Sequence, residues 1–128
     1  ELLCLKEACE NVLSHAYVPY SHFPVAAAAR GLSGKIYAGC NIENASYGAT
    51  CCAERVTIFQ GIAQGEKGFD QLMLWTPKAE GYASPCGICR QVIAEFFAPE
   101  AKVYRLDQAG TSYLEVTVEE LLPFAFEL

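Results

Sequence analysis

Hydrophobic positions along the chain follow two spacings, which divide it into helical and extended segments. Between positions 2 and 16 apolar residues recur mostly every three or four positions, which predicts an amphipathic helix that ends before Pro19. Similar spacing predicts helices over 52–64 and 87–97, the latter stopped by Pro99, and a short helix over 118–122. Apolar runs bounded by turn-forming residues predict strands at 25–30, 35–40, 72–76, 102–106 and 113–116.

The alternation of these strands and helices predicts an α/β fold in which helices cover a mixed sheet of about five strands. The chain has 128 residues, which is close to the usual size of one domain. Because no linker, repeat or low-complexity stretch interrupts the pattern, we expect a single domain over residues 1–128.

Composition and charge argue against several classes of protein. The longest uninterrupted apolar run, 25–29, is far shorter than the roughly 18 residues that span a bilayer, so no membrane partner is expected. No basic and then apolar stretch begins the sequence, so we expect no secretory leader and a cytoplasmic protein. The net charge of −6, without a cluster of cations, argues against nucleic acid as a partner.

Cysteine is the unusual component of this sequence. The chain has seven, and an odd number cannot all form disulfides. In a reducing compartment cysteines are more often metal ligands, catalytic groups or core residues. Cys4 and Cys9 belong to the first predicted helix, and we expect both on its packing face. The question is which of the others have metal-binding spacing.

Two short motifs open two of the predicted helices. Cys52 and Glu54 begin one, and Cys86 and Cys89 begin the other after Pro85. The free N–H groups at a helix start favour a thiolate, which is the form that binds zinc. Cys86 and Cys89 lie one turn apart, so both can reach one ion, with Cys52 as a third ligand. Three protein ligands leave a tetrahedral position open, as in a catalytic zinc site, and Glu54 can exchange protons with water there.

Alternatives to a catalytic zinc site remain. A structural zinc clip would take Cys40 or Cys51 as fourth ligand, but adjacent residues at a helix start point about 100° apart, which disfavours Cys51 beside Cys52. A Cys86–Cys89 redox pair does not require the Cys52 and Glu54 motif.

The charge of three thiolates exceeds that of a divalent ion, so a nearby cation should draw charge from the sulfurs. Arg55 and Arg90 each follow a ligand region closely. We expect Arg55 to form the hydrogen bond to the thiolates, because its forked guanidinium suits that role.

With these motifs in this order, the chain resembles the cytidine deaminases of the short, three-cysteine, homotetrameric class. The resemblance rests on AYVPYSHFPV at 16–25, GCNIENASY at 39–47, CAER at 52–55, SPCGICRQV at 84–92 and ELLPFAF at 120–126. It implies a three-layer α/β/α sandwich and zinc-dependent hydrolysis of cytidine and deoxycytidine to uridine and deoxyuridine, with release of ammonia, in pyrimidine salvage. It also implies a homotetramer whose active sites are shared between subunits.

The resemblance assigns roles to individual residues. Cys52, Cys86 and Cys89 would hold one zinc per chain, and Glu54 would transfer protons. The implied substrate-binding residues are Asn41 and Glu43 on the ribose 3′-hydroxyl, Phe23 on the pyrimidine ring, Ala53, and Tyr47 and Phe126, which would reach a neighbouring subunit's site. A carboxylate at Glu43, without a glycine-rich cradle or cationic cluster, favours a free nucleoside over a nucleotide.

The sequence departs from the family pattern in four places. Ala26 stands where Gly is usual, Ile88 replaces a common Ala, Cys51 precedes Cys52, and the tail ends at Leu128 without a glycine after the last phenylalanine. Three other functions stay open: deamination of a different cytosine nucleoside, a zinc-stabilised binding module without chemistry, and editing of nucleic-acid bases. The negative charge disfavours the last.

Overall fold

A computed structural model describes residues 2–128 as a sheet of five strands with four α-helices. The helices are α1 (Leu2–Leu13), α2 (Ala53–Ala63), α3 (Gly87–Phe96) and α4 (Val118–Leu121). The strands are β1 (Ala26–Gly31), β2 (Ile36–Cys40), β3 (Phe69–Trp75), β4 (Phe97–Leu106) and β5 (Tyr113–Thr117). In these described residues, no helix has the length and hydrophobicity needed to cross a membrane.

The sheet has the strand order β2-β1-β3-β4-β5. The β3–β4 pair is parallel and the other neighbours are antiparallel, so the predicted mixed sheet is confirmed. β1 pairs on both sides, with Ala28 opposite Ala38 of β2 and Met73 of β3. The parallel pair places the ends of β3 and β4 at one edge, and α3 lies in the connection between them.

Alternate residues of β1 enter two separate cores. Ala27 and Ala29 pack with side chains from α2, α3 and α4, whereas Ala26 and Ala28 pack with Leu5 and other residues of α1. The sheet therefore lies between α1 on one face and the remaining helices on the other. This arrangement confirms the three-layer α/β/α sandwich.

The extra methyl group of Ala26 is accommodated in the α1 core. Its side chain is fully buried on the face opposite α2. The close backbone approach in this region occurs instead at Gly39 of β2, where a β-carbon would lie 2.7 Å from Thr57 Oγ1 and 2.8 Å from its backbone nitrogen. Glycine at 39 thus lets α2 pack directly on the sheet.

Some sequence expectations differ from the fold. Cys9 is buried as predicted, but Cys4 is exposed, because it lies about 100° around the helix from Leu5. β3 begins at Phe69 rather than Leu72, and β4 follows α3 directly at Phe97. Pro99 therefore lies within β4, at a register shift where residues 98–101 have no partner in β3. Because proline has no N–H group, this unpaired position is one where it costs no hydrogen bond between the strands.

Candidate active site

The sulfur atoms of Cys52, Cys86 and Cys89 lie within 4.8 Å of one another, and those of Cys52 and Cys86 are 3.8 Å apart. Tetrahedral zinc with bonds of about 2.3 Å holds its thiolate ligands about 3.8 Å apart, so the cluster fits this ion. Among residues 2–128, no further His, Cys, Asp or Glu side chain joins the cluster. Neither Cys40 nor Cys51 therefore supplies the fourth ligand that a structural clip requires.

The starts of two helices place these sulfurs. Cys52 is the N-cap of α2 and Cys86 is the N-cap of α3, and both have extended backbone dihedrals. Neither side chain caps its own helix by a hydrogen bond, so both sulfurs can turn toward a shared ligand. Cys89 is the third residue of α3, one turn along from Cys86, and its side chain is buried. The predicted spacing thus brings all three together.

The sulfurs differ in their readiness to ionise. Hydrogen bonding with Cys89, supported by Arg55 and Cys86 and opposed by burial, lowers the pKa of Cys52 to about 5. The same interaction with Cys52, together with burial, raises the pKa of Cys89 above its ordinary value. Cys52 is therefore a thiolate at neutral pH, which is the zinc-binding form.

The two candidate arginines have different partners. Arg55 donates from Nη2 to the Cys52 sulfur at 3.4 Å. Arg90 instead donates to the carbonyl oxygens of Pro85 at 2.9 Å and Leu121 at 3.0 Å, and to the Ser84 hydroxyl at 3.1 Å. Arg90 thus fixes the loop before Cys86 against the end of α4, a structural connection that no local sequence pattern predicts.

Glu54 is a buried carboxyl group beside a small cavity. It follows Cys52 by two residues in α2, is 4% exposed, and lines a cavity of about 190 Å³. Burial, together with the Cys52 charge, raises its pKa to about 7 despite an opposing hydrogen bond from its own backbone. A carboxyl group with this pKa can both accept and return a proton near neutral pH.

The walls of this cavity come from two loops and the sheet. Phe23 and Val25 form one side, and the segment after β3 forms another through Thr76, Tyr82 and Ser84. The segment after β3 was not recognised in the sequence, where it has only the features of a loop. The Phe23 ring and the buried Glu54 carboxyl group thus line the same small cavity, an arrangement that suits the binding of a flat heterocycle.

Asn41 and Glu43 do not line the Glu54 cavity, but both form hydrogen bonds to the loop that carries Phe23. Asn41 accepts from the Val25 N–H with Oδ1 and donates from Nδ2 to the Phe23 carbonyl, each at 2.9 Å. Glu43 accepts from the Tyr20 N–H at 3.0 Å, the Ser21 N–H at 3.2 Å and the Ser21 hydroxyl. Both side chains thus stabilise this loop, a contribution that their spacing in the sequence did not predict.

Two further sequence candidates are largely exposed. Tyr47 is 76% exposed and makes an edge contact with Tyr20, with ring centroids 5.9 Å apart. Phe126 is 67% exposed, and its carbonyl accepts from Gln91 at 3.2 Å. Within residues 2–128, neither ring lines the Glu54 cavity of its own chain. Ile88 is also exposed, at 63%, so its larger side chain does not crowd the sulfurs from within the core.

Ala53 completes the set of candidates. It is fully buried at the first position of α2, between Cys52 and Glu54. Its side chain belongs to the core on the α2 face of the sheet, so it fixes the start of the helix that carries both neighbours.

Comparisons with known proteins agree with this geometry. Residues 3–105 match the profile of the cytidine and deoxycytidylate deaminase zinc-binding region. The sulfur cluster lies within the matched region, and together these findings confirm the predicted zinc cofactor.

Individual relatives are similar over most of the chain. A cytidine deaminase of Sporosarcina psychrophila is 50% identical over 111 residues, which cover 87% of this chain and 80% of that protein. One from Halalkalibacterium halodurans is 42% identical over 124 residues, or 97% and 92% of the two chains. The crystal structure of a cytidine deaminase from Burkholderia pseudomallei superimposes with a TM-score of 0.91 at 37% identity, covering 98% of this chain and 99% of the other.

Proposed function

Because the chain belongs to the family of zinc-binding cytidine and deoxycytidylate deaminases, we propose that it hydrolyses cytidine and deoxycytidine to uridine and deoxyuridine, releasing ammonia. One observation carries this proposal. The buried Glu54 carboxyl group lines a cavity whose wall includes Phe23, and it lies in the first turn of the helix whose N-cap, Cys52, belongs to the zinc-binding sulfur cluster. Proton transfer, metal binding and ring binding thus meet at one place.

The sulfur cluster provides the metal site of this reaction. Cys52, Cys86 and Cys89 would hold one zinc ion, which when bound supplies Lewis acidity for the attack of water on the pyrimidine ring. The Arg55 guanidinium draws negative charge from the Cys52 sulfur, and so preserves that acidity.

Glu54 performs the proton transfers. Its carboxylate takes a proton from the attacking water and delivers it to N3 of the ring. It then takes the proton of the hydroxyl group added at C4 and delivers it to the amine, which leaves as ammonia while the carbonyl group forms at C4. Its raised pKa of about 7 suits both directions of transfer. Its burial keeps bulk water from exchanging with the proton in transit.

The remaining residues orient the nucleoside. Phe23 packs on the pyrimidine ring, and Asn41 and Glu43 hold the ribose 3′-hydroxyl. Glu43 already accepts three hydrogen bonds, and a carboxylate has about four lone-pair positions, so one position on Oε2 is available to a sugar hydroxyl.

A free nucleoside is the substrate that the charges favour. Glu80 lines the cavity together with Glu54, and Glu43 adds a third carboxylate, which is hydrogen-bonded to the loop that carries Phe23. Among residues 2–128 no Lys or Arg lines this cavity, so a 5′-phosphate there would meet uncompensated negative charge, in a chain of net charge −6.

We propose the same single domain over 1–128 as the subunit of a cytoplasmic homotetramer. Exposure of Tyr47 and Phe126 leaves both rings available to a neighbouring subunit, which supports their role in closing that subunit's site. In this arrangement Gln91 and Arg90 hold the C-terminal segment to α3, so that Phe126 is presented at a fixed position.

Metal analysis and a substrate panel on the purified chain test the proposal. We expect one zinc per chain, ammonia release from cytidine and deoxycytidine, and at least about 100-fold weaker activity on cytidine 5′-phosphate and free cytosine. Zinc without ammonia release from any nucleoside would favour a binding module instead. Equal rates on the nucleotide would contradict the role given to the carboxylates.

A further inference from the structure

Residues 19–24 form the loop that brings Phe23 to the cavity. The His22 N–H donates to the Val18 carbonyl at 3.0 Å, which closes a turn. His22 has a φ of 55°, a left-handed conformation that costs energy in residues other than glycine. Such a backbone conformation persists only where surrounding contacts hold it, so the hydrogen bonds around this turn stabilise the loop that carries Phe23.

The Ser21 hydroxyl lies at the centre of those contacts. It donates to Oε2 of Glu43 and accepts from the Phe23 N–H at 3.1 Å. The other two hydrogen bonds to Glu43, from the backbone of Tyr20 and Ser21, reach Oε1. Ser21 is thus the donor to Oε2, the oxygen with a position available for the substrate, and it is also bonded to the residue that contacts the ring.

We propose that Ser21 is a positioning residue for nucleoside binding, which orients the Glu43 carboxylate toward the ribose 3′-hydroxyl. This inference rests on the proposed function. Without the Ser21 hydroxyl, Oε1 keeps its backbone donors, but Oε2 loses the bond that fixes the plane of the carboxylate. The oxygen that should receive the ribose 3′-hydroxyl can then rotate away from it.

Electrostatics agree with this assignment. The Ser21 hydroxyl is the largest cause that lowers the pKa of Glu43 below its ordinary value, outweighing partial burial, with further help from the backbone donors. A fully ionised carboxylate is the strongest acceptor for a sugar hydroxyl. Because a carboxyl group with the ordinary pKa of 4.5 is already ionised at neutral pH, the contribution of Ser21 to nucleoside binding is the orientation of Glu43.

Steady-state kinetics on two substrates test the role of Ser21. Ser21→Ala should raise KM for cytidine about tenfold and leave kcat within about twofold, because the lost contact positions the ground state and transition state equally. With 3′-deoxycytidine, which lacks the hydroxyl that Glu43 holds, KM should change less than about twofold. Ser21→Thr keeps the hydroxyl group, so its KM for cytidine should be close to the wild-type value.

Matched controls separate this role from a general loss of structure. Ser14→Ala removes an exposed hydroxyl at the end of α1 and should change neither KM. If Ser21→Ala does not fold, Ser21→Thr and Ser21→Val provide the same comparison with closely matched volumes. The proposal would be overturned if Ser21→Ala raised KM equally for both substrates or raised it for neither. It would also be overturned if the KM of Ser21→Thr for cytidine were as high as that of Ser21→Ala.

Product binding provides a measurement that does not depend on turnover. Calorimetry should show about tenfold weaker binding of uridine to Ser21→Ala, and an unchanged Kd for 3′-deoxyuridine. A wild-type chain that binds uridine but releases no ammonia from cytidine would end the proposed function, while the difference between the two products would still decide the role of Ser21. Equally weakened binding of uridine and 3′-deoxyuridine to Ser21→Ala would overturn the positioning role of Ser21.

Discussion

Arg55 donates a hydrogen bond to the Cys52 sulfur from three residues along the same helix, with Nη2 3.4 Å from Sγ. Hydrogen bonding to that sulfur raises the pKa of the guanidinium further above its ordinary value, so its positive charge is permanent. Three thiolates carry more negative charge than a divalent ion neutralises. Arg55 therefore provides the compensating charge at the Cys52 sulfur, whose pKa is lowered.

Replacing Arg55 tests this compensation. Arg55→Gln should weaken zinc binding or lower activity about 10- to 100-fold, because the thiolate loses its charged partner. The zinc affinity and activity of Arg55→Lys should lie between those of Arg55→Gln and the wild type, since lysine restores the charge without the forked geometry. Chelator competition measures zinc affinity directly, and normal zinc retention with a normal rate in Arg55→Gln would remove Arg55 from this role.

Glu54→Gln should separate metal binding from chemistry. The amide has nearly the same shape but cannot accept and return a proton, so turnover of cytidine should fall by about 10² to 10⁴. Zinc content and the unfolding midpoint should stay near wild-type values, because Glu54 is not one of the clustered ligands. Unchanged turnover would show that another group transfers the proton.

A second buried carboxylate predicts how stability depends on pH. Glu66 accepts from the Ser33 hydroxyl, from the Ser33 N–H at 3.3 Å and from the Tyr37 hydroxyl at 3.3 Å. These bonds, the Ser33 hydroxyl first, hold the pKa of Glu66 below its ordinary value of 4.5 despite partial desolvation. A lowered folded-state pKa stabilises the fold above the unfolded-state pKa and loses that effect as pH falls through the folded-state value.

Ser33→Ala should therefore be less stable than the wild type at neutral pH. The difference in unfolding free energy should narrow as pH falls below about 4.5 and through the lower folded-state pKa of Glu66, beneath which this group is protonated in both chains. Urea unfolding across a pH series measures it, with Ser14→Ala as the control for loss of an exposed hydroxyl. A difference that stays constant or widens toward low pH would contradict the assignment.

Gly39 and Gly48 provide a matched pair for packing. Alanine at 39 would place its β-carbon 2.7 Å from Thr57 Oγ1 and 2.8 Å from the Thr57 nitrogen, and the backbone of α2 cannot yield freely. We expect Gly39→Ala to cost about 1–3 kcal/mol in unfolding free energy. At Gly48 a β-carbon would meet nothing within 4 Å, so Gly48→Ala should change stability by less than about 0.5 kcal/mol. Equal effects in urea unfolding would contradict the close approach of α2 to β2.

The elements that place the sulfur cluster could be predicted because their signals are local. The N-caps Cys52 and Cys86 and the one-turn spacing to Cys89 are properties of a few consecutive residues. The same locality explains the errors in the sheet. β3 begins early at Phe69 because that residue pairs with Phe97, a partner that no local pattern can identify.

Contacts between distant segments limited what could be inferred about the substrate site. The bonds from Asn41 and Glu43 to the Phe23 loop cross 16 to 23 positions and depend on how that loop folds back. Their spacing of two residues predicts only that both side chains face one way. Likewise, the composition of the segment after β3 indicates a loop, but its position over Glu54 follows from the tertiary fold.

The sulfur cluster has a mechanical consequence beyond its chemistry. Cys52 and Cys86 are separated by 34 positions, and the intervening chain includes α2 and the central strand β3. An ion bound by both would crosslink the ends of this segment. The crosslink would lower the conformational entropy of the unfolded chain and so raise the free energy of unfolding by about 4 kcal/mol. Demetallation should thus loosen the middle of the sheet as well as stop turnover, since integrity and reactivity depend on the same three atoms.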